Sequence, residues 1–285
     1  MSSKKVMLIT GATSGIGKSL ANEFAKEGAR LILSDLNIES LESHAYELKK
    51  NNIEVSTYYA DVSNYESMKD FSSKVLRDHN DIDVLVNNAG VNLMDRFTDG
   101  DLDDFKWLMD VNFWGTVYGV NVFLQNLLSR EDAHIVNISS ILGLMSLPGQ
   151  AAYNSSKAAI KGFTESLKME LAGTSVDVTC IHPGGVKTNI ALNARAGNTV
   201  SKETRNKLIT EFDKLSYTTS KSAAQQILKG IKSNKRRVMI GIDAKIADIL
   251  VRTFPGCYET IMAVSYTHLR AHETKANLVC RLLLE

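Results

Sequence analysis

Short, almost wholly apolar runs alternate along the chain with longer stretches in which apolar positions recur every three to four residues. Runs of strand length lie at 6–10, 31–34, 55–59, 84–87, 134–138, 176–181 and 237–240. Between them the 3.6-residue period predicts helices over 16–28, 39–51, 65–79, 102–128, 151–172 and 221–233. Strands that are apolar on both faces, separated by helices, predict a parallel sheet covered on both sides. Right-handed crossovers then give a doubly wound, three-layer αβα sheet of the α/β class. Residues 188–215 are polar and weakly patterned, and are expected to form a long insert or lid over the ligand side. With three prolines in 285 residues and no repeat or proline-rich linker, residues 1–263 are expected to be one domain.

Composition narrows the function. The formal net charge is +1, which provides no electrostatic footprint for nucleic acid. No run approaches the ~20 apolar residues of a membrane span, and the apolar residues after Lys5 lead straight into a glycine loop instead of a signal-peptide cleavage site. A soluble, cytoplasmic protein is expected. Cys180, Cys257 and Cys280 are too few and scattered for a disulfide framework or a zinc site, and no metal is expected. Residues 264–285 stand apart. Val-Ser-Tyr-Thr-His-Leu-Arg-Ala-His-Glu-Thr resembles one reading frame of a transposon-derived sequencing adapter, so a non-native tail is expected there. The four-residue spacing of His268 and His272 then has no bearing on metal binding.

The first strand ends in Thr10-Gly11-Ala12-Thr13-Ser14-Gly15-Ile16-Gly17, and a helix follows. Glycines there permit a tight turn and close approach of backbone to a pyrophosphate, which the helix N-terminus attracts through its free N–H groups and partial positive charge. The Gly-x3-Gly-x-Gly spacing suits a dinucleotide, although Ala12 to Ser19 also matches a nucleoside-triphosphate P-loop at every position but Ala12. Asp35, about 20 residues on and at the end of the second strand, favours the dinucleotide, because a carboxylate there accepts both ribose hydroxyls. Neither Ser14 nor the residues Ser34, Leu36 and Asn37 around Asp35 are basic, so NAD is expected over NADP.

Reducing a carbonyl by hydride requires a proton donor at the oxygen, and tyrosine serves if its pKa of ~10 is lowered. An ammonium at ~4 Å with an effective dielectric near 20 supplies ~4 kcal/mol toward that. One helical turn, Tyr-x3-Lys, aligns the pair. The spacing occurs four times, at Tyr46/Lys50, Tyr65/Lys69, Tyr153/Lys157 and Tyr217/Lys221. Only Tyr153/Lys157 opens a helix just after a strand end that carries hydroxyls, Ser139-Ser140.

Together, Thr10-Gly11-x3-Gly15-x-Gly17, Asp61-Val62, Asn87-Asn88-Ala89-Gly90, Asn112, Ser140, Tyr153-x3-Lys157 and Pro183-Gly184 resemble the short-chain dehydrogenase/reductase family over roughly residues 5–240. The resemblance implies a Rossmann-like fold and an NAD(P)-dependent oxidoreductase that interconverts a secondary alcohol and a ketone. By that resemblance Tyr153 is the acid/base, Lys157 lowers its pKa and binds the nicotinamide ribose, Ser140 holds the substrate oxygen, and Asn112 holds a relay water behind Lys157. Gly11, Ser14, Gly15, Ile16 and Gly17 would take the pyrophosphate. Asp61 and Val62 would contact adenine, Asn88 and Gly90 would lie along the adenosine, and Pro183, Gly184, Val186 and Thr188 would flank the nicotinamide. A non-catalytic NAD-binding sensor of the same fold is the alternative. Apolar residues after the Ser140 and Gly90 motifs suggest an apolar small-molecule substrate. The long helices at 102–128 and 151–172 suggest a homodimer or homotetramer.

Overall fold

A computed structural model describes residues 4–197, 200–256 and 258. The expected tail, with His268 and His272, and the cysteines at 257 and 280 lie outside the described residues. Seven of the described strands form the central parallel sheet: β1 (Val6–Thr10), β2 (Arg30–Asp35), β3 (Val55–Tyr59), β4 (Val84–Asn87), β6 (Ala133–Ile138), β7 (Val176–Pro183) and β11 (Arg237–Ile240). Two-residue strands β5 (Leu93–Met94), β8 (Val186–Lys187), β9 (Arg195–Ala196) and β10 (Thr218–Thr219) make two small parallel ladders beside it. The central order is β11-β7-β6-β4-β1-β2-β3. It reverses direction at β1, and such a switch point opens a crevice at the strands' carboxyl ends.

Alternation along the strands explains the layers. Met7 and Ile9 of β1 face one core with Leu20 and Phe24 of helix α1 (Gly15–Lys26), Leu41 of α2 (Ile38–Lys50) and Ile227 of α8 (Ser220–Lys232). Val6 and Leu8 face the other, with Phe71 of α3 (Tyr65–His79), Phe123 of α5 (Gly115–Leu128) and Leu167 of α6 (Ala151–Glu170). Each fully buried Leu, Ile or Phe contributes ~1.5–3 kcal/mol of apolar burial, so the two cores hold the strand ends rigidly where the site is built.

The structure differs from the sequence expectation in three places. The helix expected over 102–128 is α4 (Leu102–Met109) and α5 joined by a π-helical turn, Asp110–Trp114. Residues 188–215 include a regular helix, α7 (Lys202–Leu215), capped by Ser201 through the Thr204 amide. None of its residues is fully buried; Leu208, Ile209 and Phe212 pack, partly buried, against the small cluster of Met94, Ala191 and Ala194. A further helix, α9 (Ile242–Thr253), follows β11 and buries only Ala244. No helix among the described residues is long and apolar enough to cross a membrane.

Candidate active site

The loop between β1 and α1 is shaped by its glycines. Gly11 and Gly15 have φ of 67° and 52°, the left-handed region that favours glycine. A Cβ on Gly11 would lie 2.7 Å from the Ala89 Cα, and one on Gly17 would overlap the Gly11 carbonyl and the Asn88 amide. Asn88 clasps this loop, its Nδ2 donating to the carbonyls of Thr10 (3.0 Å) and Gly11 (2.9 Å). The Thr10 hydroxyl accepts from the backbone N–H groups of Asn88 and Ala89. Ser14 occupies the N-cap position of α1 but its side chain makes no cap hydrogen bond; it is exposed, and Gly15 and Ile16 at the helix start are half-buried. The result is a backbone cradle open at a helix N-terminus, which fits a pyrophosphate.

Around this cradle, the expected nucleotide residues are placed as follows. Asp35 accepts from the Thr13 N–H (3.1 Å) and hydroxyl (2.7 Å) on one oxygen and from the Asn37 N–H (3.1 Å) on the other. It is half-buried at the end of β2, tied to the loop it was expected to accompany. Asp61 accepts from the N–H and hydroxyl of Ser63, while Val62 is buried in the core and backs onto Gly115. Thr188 reaches the start of α1, where a Cβ on Gly15 would lie 3.1 Å from its methyl carbon. Pro183 ends β7, the Gly184 N–H donates to the Ile240 carbonyl, and Val186 is buried in the ladder with Thr218.

At the carboxyl ends of β6 and β7, Tyr153 and Ser140 come together. The phenol is buried, and burial pushes its pKa up to about 12, opposed by a hydrogen bond from Ser140. Lys157 Nζ lies 5.6 Å from the centre of the Tyr153 ring, donates to the Ile138 carbonyl (3.0 Å), and is itself pushed down to about 8 by burial. Loss of solvent is the largest influence on both groups. The Ser140 hydroxyl oxygen also accepts from the Leu142 N–H (3.1 Å), capping a 3-10 turn, whereas Ser139 donates to the Lys157 carbonyl (2.7 Å) and ties β6 to α6.

Asn112 lies fully buried in the π-helical turn. Its Oδ1 accepts from the Val91 N–H (2.8 Å), and its Nδ2 donates to the Val91 carbonyl (3.0 Å) and the Ser156 hydroxyl (3.1 Å). Both side-chain donor positions are thus occupied by protein groups. Gly90 passes between this amide and Lys157: a Cβ there would lie 3.2 Å from Asn112 Oδ1 and 3.4 Å from Lys157 Nζ. Apolar side chains complete the setting. Tyr153 packs in one cluster with Leu93, Leu108 and Ala152, flanked by Val91, Leu142 and Ile190. A cavity of about 170 Å³ adjoins it, lined by apolar Leu93, Phe97 and Phe105 and by charged Asp95, Arg96 and Asp101. The larger cavity, about 520 Å³ between α1 and α2, holds none of these groups.

Three supporting residues carried no signal in the sequence. Thr13 fixes the Asp35 carboxylate. His182 places Nδ1 3.1 Å from the Ser140 carbonyl. Asp243 of α9 accepts from the Gly185 N–H.

Fold and site together are those of a Rossmann-like oxidoreductase. The chain belongs to the short-chain dehydrogenase/reductase family: the family profile described as short chain dehydrogenase matches residues 5–199. It is 36% identical over 262 residues to SadH of Mycobacterium tuberculosis, covering 91% of this chain and 94% of that protein. Among solved structures it resembles a short-chain dehydrogenase/reductase from Burkholderia phymatum in complex with NAD (TM-score 0.81, 28% identity, 90% of this chain and 94% of that one). It also resembles an alcohol dehydrogenase of the archaeon Thermococcus sibiricus complexed with 5-hydroxy-NADP (TM-score 0.72, 26% identity, 84% and 96%).

Proposed function

We propose that this oxidoreductase interconverts a secondary alcohol and a ketone of apolar character, using a nicotinamide dinucleotide with NAD preferred. The observation that carries the reading is the buried Tyr153 phenol, in contact with Ser140 and one helical turn from Lys157 at the carboxyl end of β6. When bound, the cofactor supplies or accepts the hydride. Gly11, Ser14, Gly15, Ile16 and Gly17 would hold its pyrophosphate. Asp35, Asp61, Val62, Asn88 and Gly90 would line the adenosine side, and Pro183, Gly184, Val186 and Thr188 the nicotinamide side. Among the described residues Asp35 is bonded by Thr13 and Asn37 and by no cation, which supports a ribose diol over a 2′-phosphate.

In reduction, Ser140 and Tyr153 hold the ketone oxygen and Tyr153 delivers its proton. A phenol raised to about 12 is fully protonated at neutral pH, ready for that role. In oxidation, the charge of Lys157 stabilises the tyrosinate that takes the alcohol proton. Asn112 acts through Val91 and α6, keeping the wall beside Lys157 in place. Val91, Leu93, Leu142 and Ile190 around the phenol support an apolar substrate, with residues 188–215 as its cover. That cover is fastened by Arg195, stacked 3.7 Å over the Trp107 ring and bonded to Asp104. Exposed Trp114, stacked on Tyr118 of α5, and exposed Met169 of α6 support association with a second copy, as a homodimer or homotetramer.

A panel of apolar ketones assayed with NADH and NADPH tests the reading. Turnover is expected with NADH, and Tyr153→Phe should reduce it ~10²–10⁴-fold while leaving NADH affinity within a few-fold. A variant retaining more than about one hundredth of the wild-type rate would remove Tyr153 from the proton transfer.

A further inference from the structure

The loop Pro183–Gly184–Gly185–Val186 is held from both sides by the carboxyl-terminal part of the chain. On one side the Gly184 N–H donates to the Ile240 carbonyl (3.0 Å), and the Thr218 N–H donates to the Gly185 carbonyl (3.3 Å). On the other, Asp243 in the first turn of α9 accepts the Gly185 N–H through Oδ2. The fit is tight: a Cβ on either Gly184 or Gly241 would overlap the Asp243 carboxylate. No cation pairs with Asp243 among the described residues, so its charge-assisted bond is made to this one amide. Asp243 lies 58 residues beyond Gly185 and outside the 5–199 stretch that the family profile matches.

We propose that Asp243 is a positioning residue for the nicotinamide end of the cofactor site, acting through the Gly184–Gly185 peptide. The inference rests on the function proposed above, in which Pro183, Gly184, Val186 and Thr188 flank the nicotinamide. The physical argument is preorganisation. Consecutive glycines at 184 and 185 give this loop much backbone freedom to lose on ordering, because glycine has the most backbone entropy to lose. A loop that must be ordered at the moment of binding lowers affinity by the cost of ordering it. Asp243 removes that cost in advance, and the glycines are present because any side chain at 184 would displace the carboxylate.

The test compares Asp243→Ala and Asp243→Asn with the wild type, using two readouts. The first is amide hydrogen exchange over residues 184–188 in the cofactor-free protein, which does not depend on turnover. The second is the separate measurement of KM for NADH and of kcat. Asp243→Ala should speed exchange at 184–188 at least tenfold. It should raise KM for NADH about tenfold, the loss expected for one charge-assisted hydrogen bond, with kcat changed less than threefold. Asp243→Asn keeps a neutral acceptor and should fall between, at two- to threefold in both readouts. Should Asp243→Ala not fold, Asp243→Asn carries the test alone, and wild-type exchange and KM in it would overturn the proposal. A folded Asp243→Ala with wild-type exchange at 184–188, or with wild-type KM, overturns it as well. Absence of NADH-dependent turnover in the wild type would instead overturn the function on which it rests, and the exchange measurement would still report on the clasp.

Discussion

Replacing Lys157 by methionine separates what this lysine does for chemistry from what it costs the fold. The ammonium is buried, and its pKa falls from an ordinary 10.5 to about 8. A depressed lysine means the folded state resists protonation. The penalty is therefore present in full below pH 8 and is relieved as pH rises from about 8 toward 10.5. Between pH 7 and 9.5, linkage assigns about 2 kcal/mol of added stability to the wild type from this group alone. Methionine has a similar length and does not titrate. At neutral pH it escapes the burial penalty but leaves the Ile138 carbonyl without its donor, which costs ~1–3 kcal/mol. The absolute difference at one pH is thus a small remainder of opposing effects. Its slope with pH is not, because the lost hydrogen bond and every unrelated titration largely cancel in the comparison. Urea unfolding of both proteins at pH 7 and 9.5, with m values checked for equality, gives the number. Wild type should gain about 2 kcal/mol on Lys157→Met across that range. A difference that stays flat within about 0.5 kcal/mol would show that the ammonium is solvated, and the burial argument for both Lys157 and Tyr153 would fail.

Other perturbations address the cradle and the core. Gly17→Ala should abolish NADH binding measured by calorimetry and destabilise the protein by ~1–3 kcal/mol, since the new methyl meets the Gly11 carbonyl and the Asn88 amide that pins the loop. Binding within threefold of wild type would show that this loop does not carry the pyrophosphate. His134 is buried on β6 against Thr179 and is pushed down to about 4, so its contribution is present above pH 6.5 and lost as pH falls toward 4. His134→Gln should therefore lose about 2 kcal/mol less than wild type between pH 7 and 4.5 in urea midpoints. Equal losses would mean that this imidazole titrates freely in the folded protein.

The seven sheet strands were legible because a strand buried on both faces leaves an apolar run that no helix of the same length explains. The helices α1, α2, α3, α6 and α8 were legible for the complementary reason, each laying a periodic face such as Leu20, Ala21 and Phe24 on the sheet. Where a helix buries almost nothing, that signal is missing. Helix α9 buries Ala244 alone and leaves Ile242, Ile246 and Ile249 exposed, so its apolar residues mark no inner face. Helix α7 buries none of its residues fully and was legible only as a polar insert. The π-helical turn at Asp110–Trp114 was hidden because one extra residue per turn hardly disturbs an apolar pattern already wide enough to be read as a single helix.

At the site, spacing and surroundings contributed differently. Three of the Tyr-x3-Lys pairs do place the ammonium over the ring, at 4.3 Å for Tyr46/Lys50, 5.1 Å for Tyr65/Lys69 and 5.6 Å for Tyr153/Lys157. The spacing thus produces the contact wherever there is a helix. What distinguishes Tyr153 is burial: it is 9% exposed, against 61% for Tyr46 and 39% for Tyr65. Its position after the Ser139-Ser140 strand end was the readable proxy for that burial. The burial of the pair was not readable from the spacing, because a Coulomb argument from spacing contains the partner charge and omits the solvent removed from both groups. With the solvent gone, the phenol retains its proton and the ammonium is weakened. The same burial that raises the resting phenol also magnifies any charge later placed beside it, since the interaction energy scales inversely with the local dielectric.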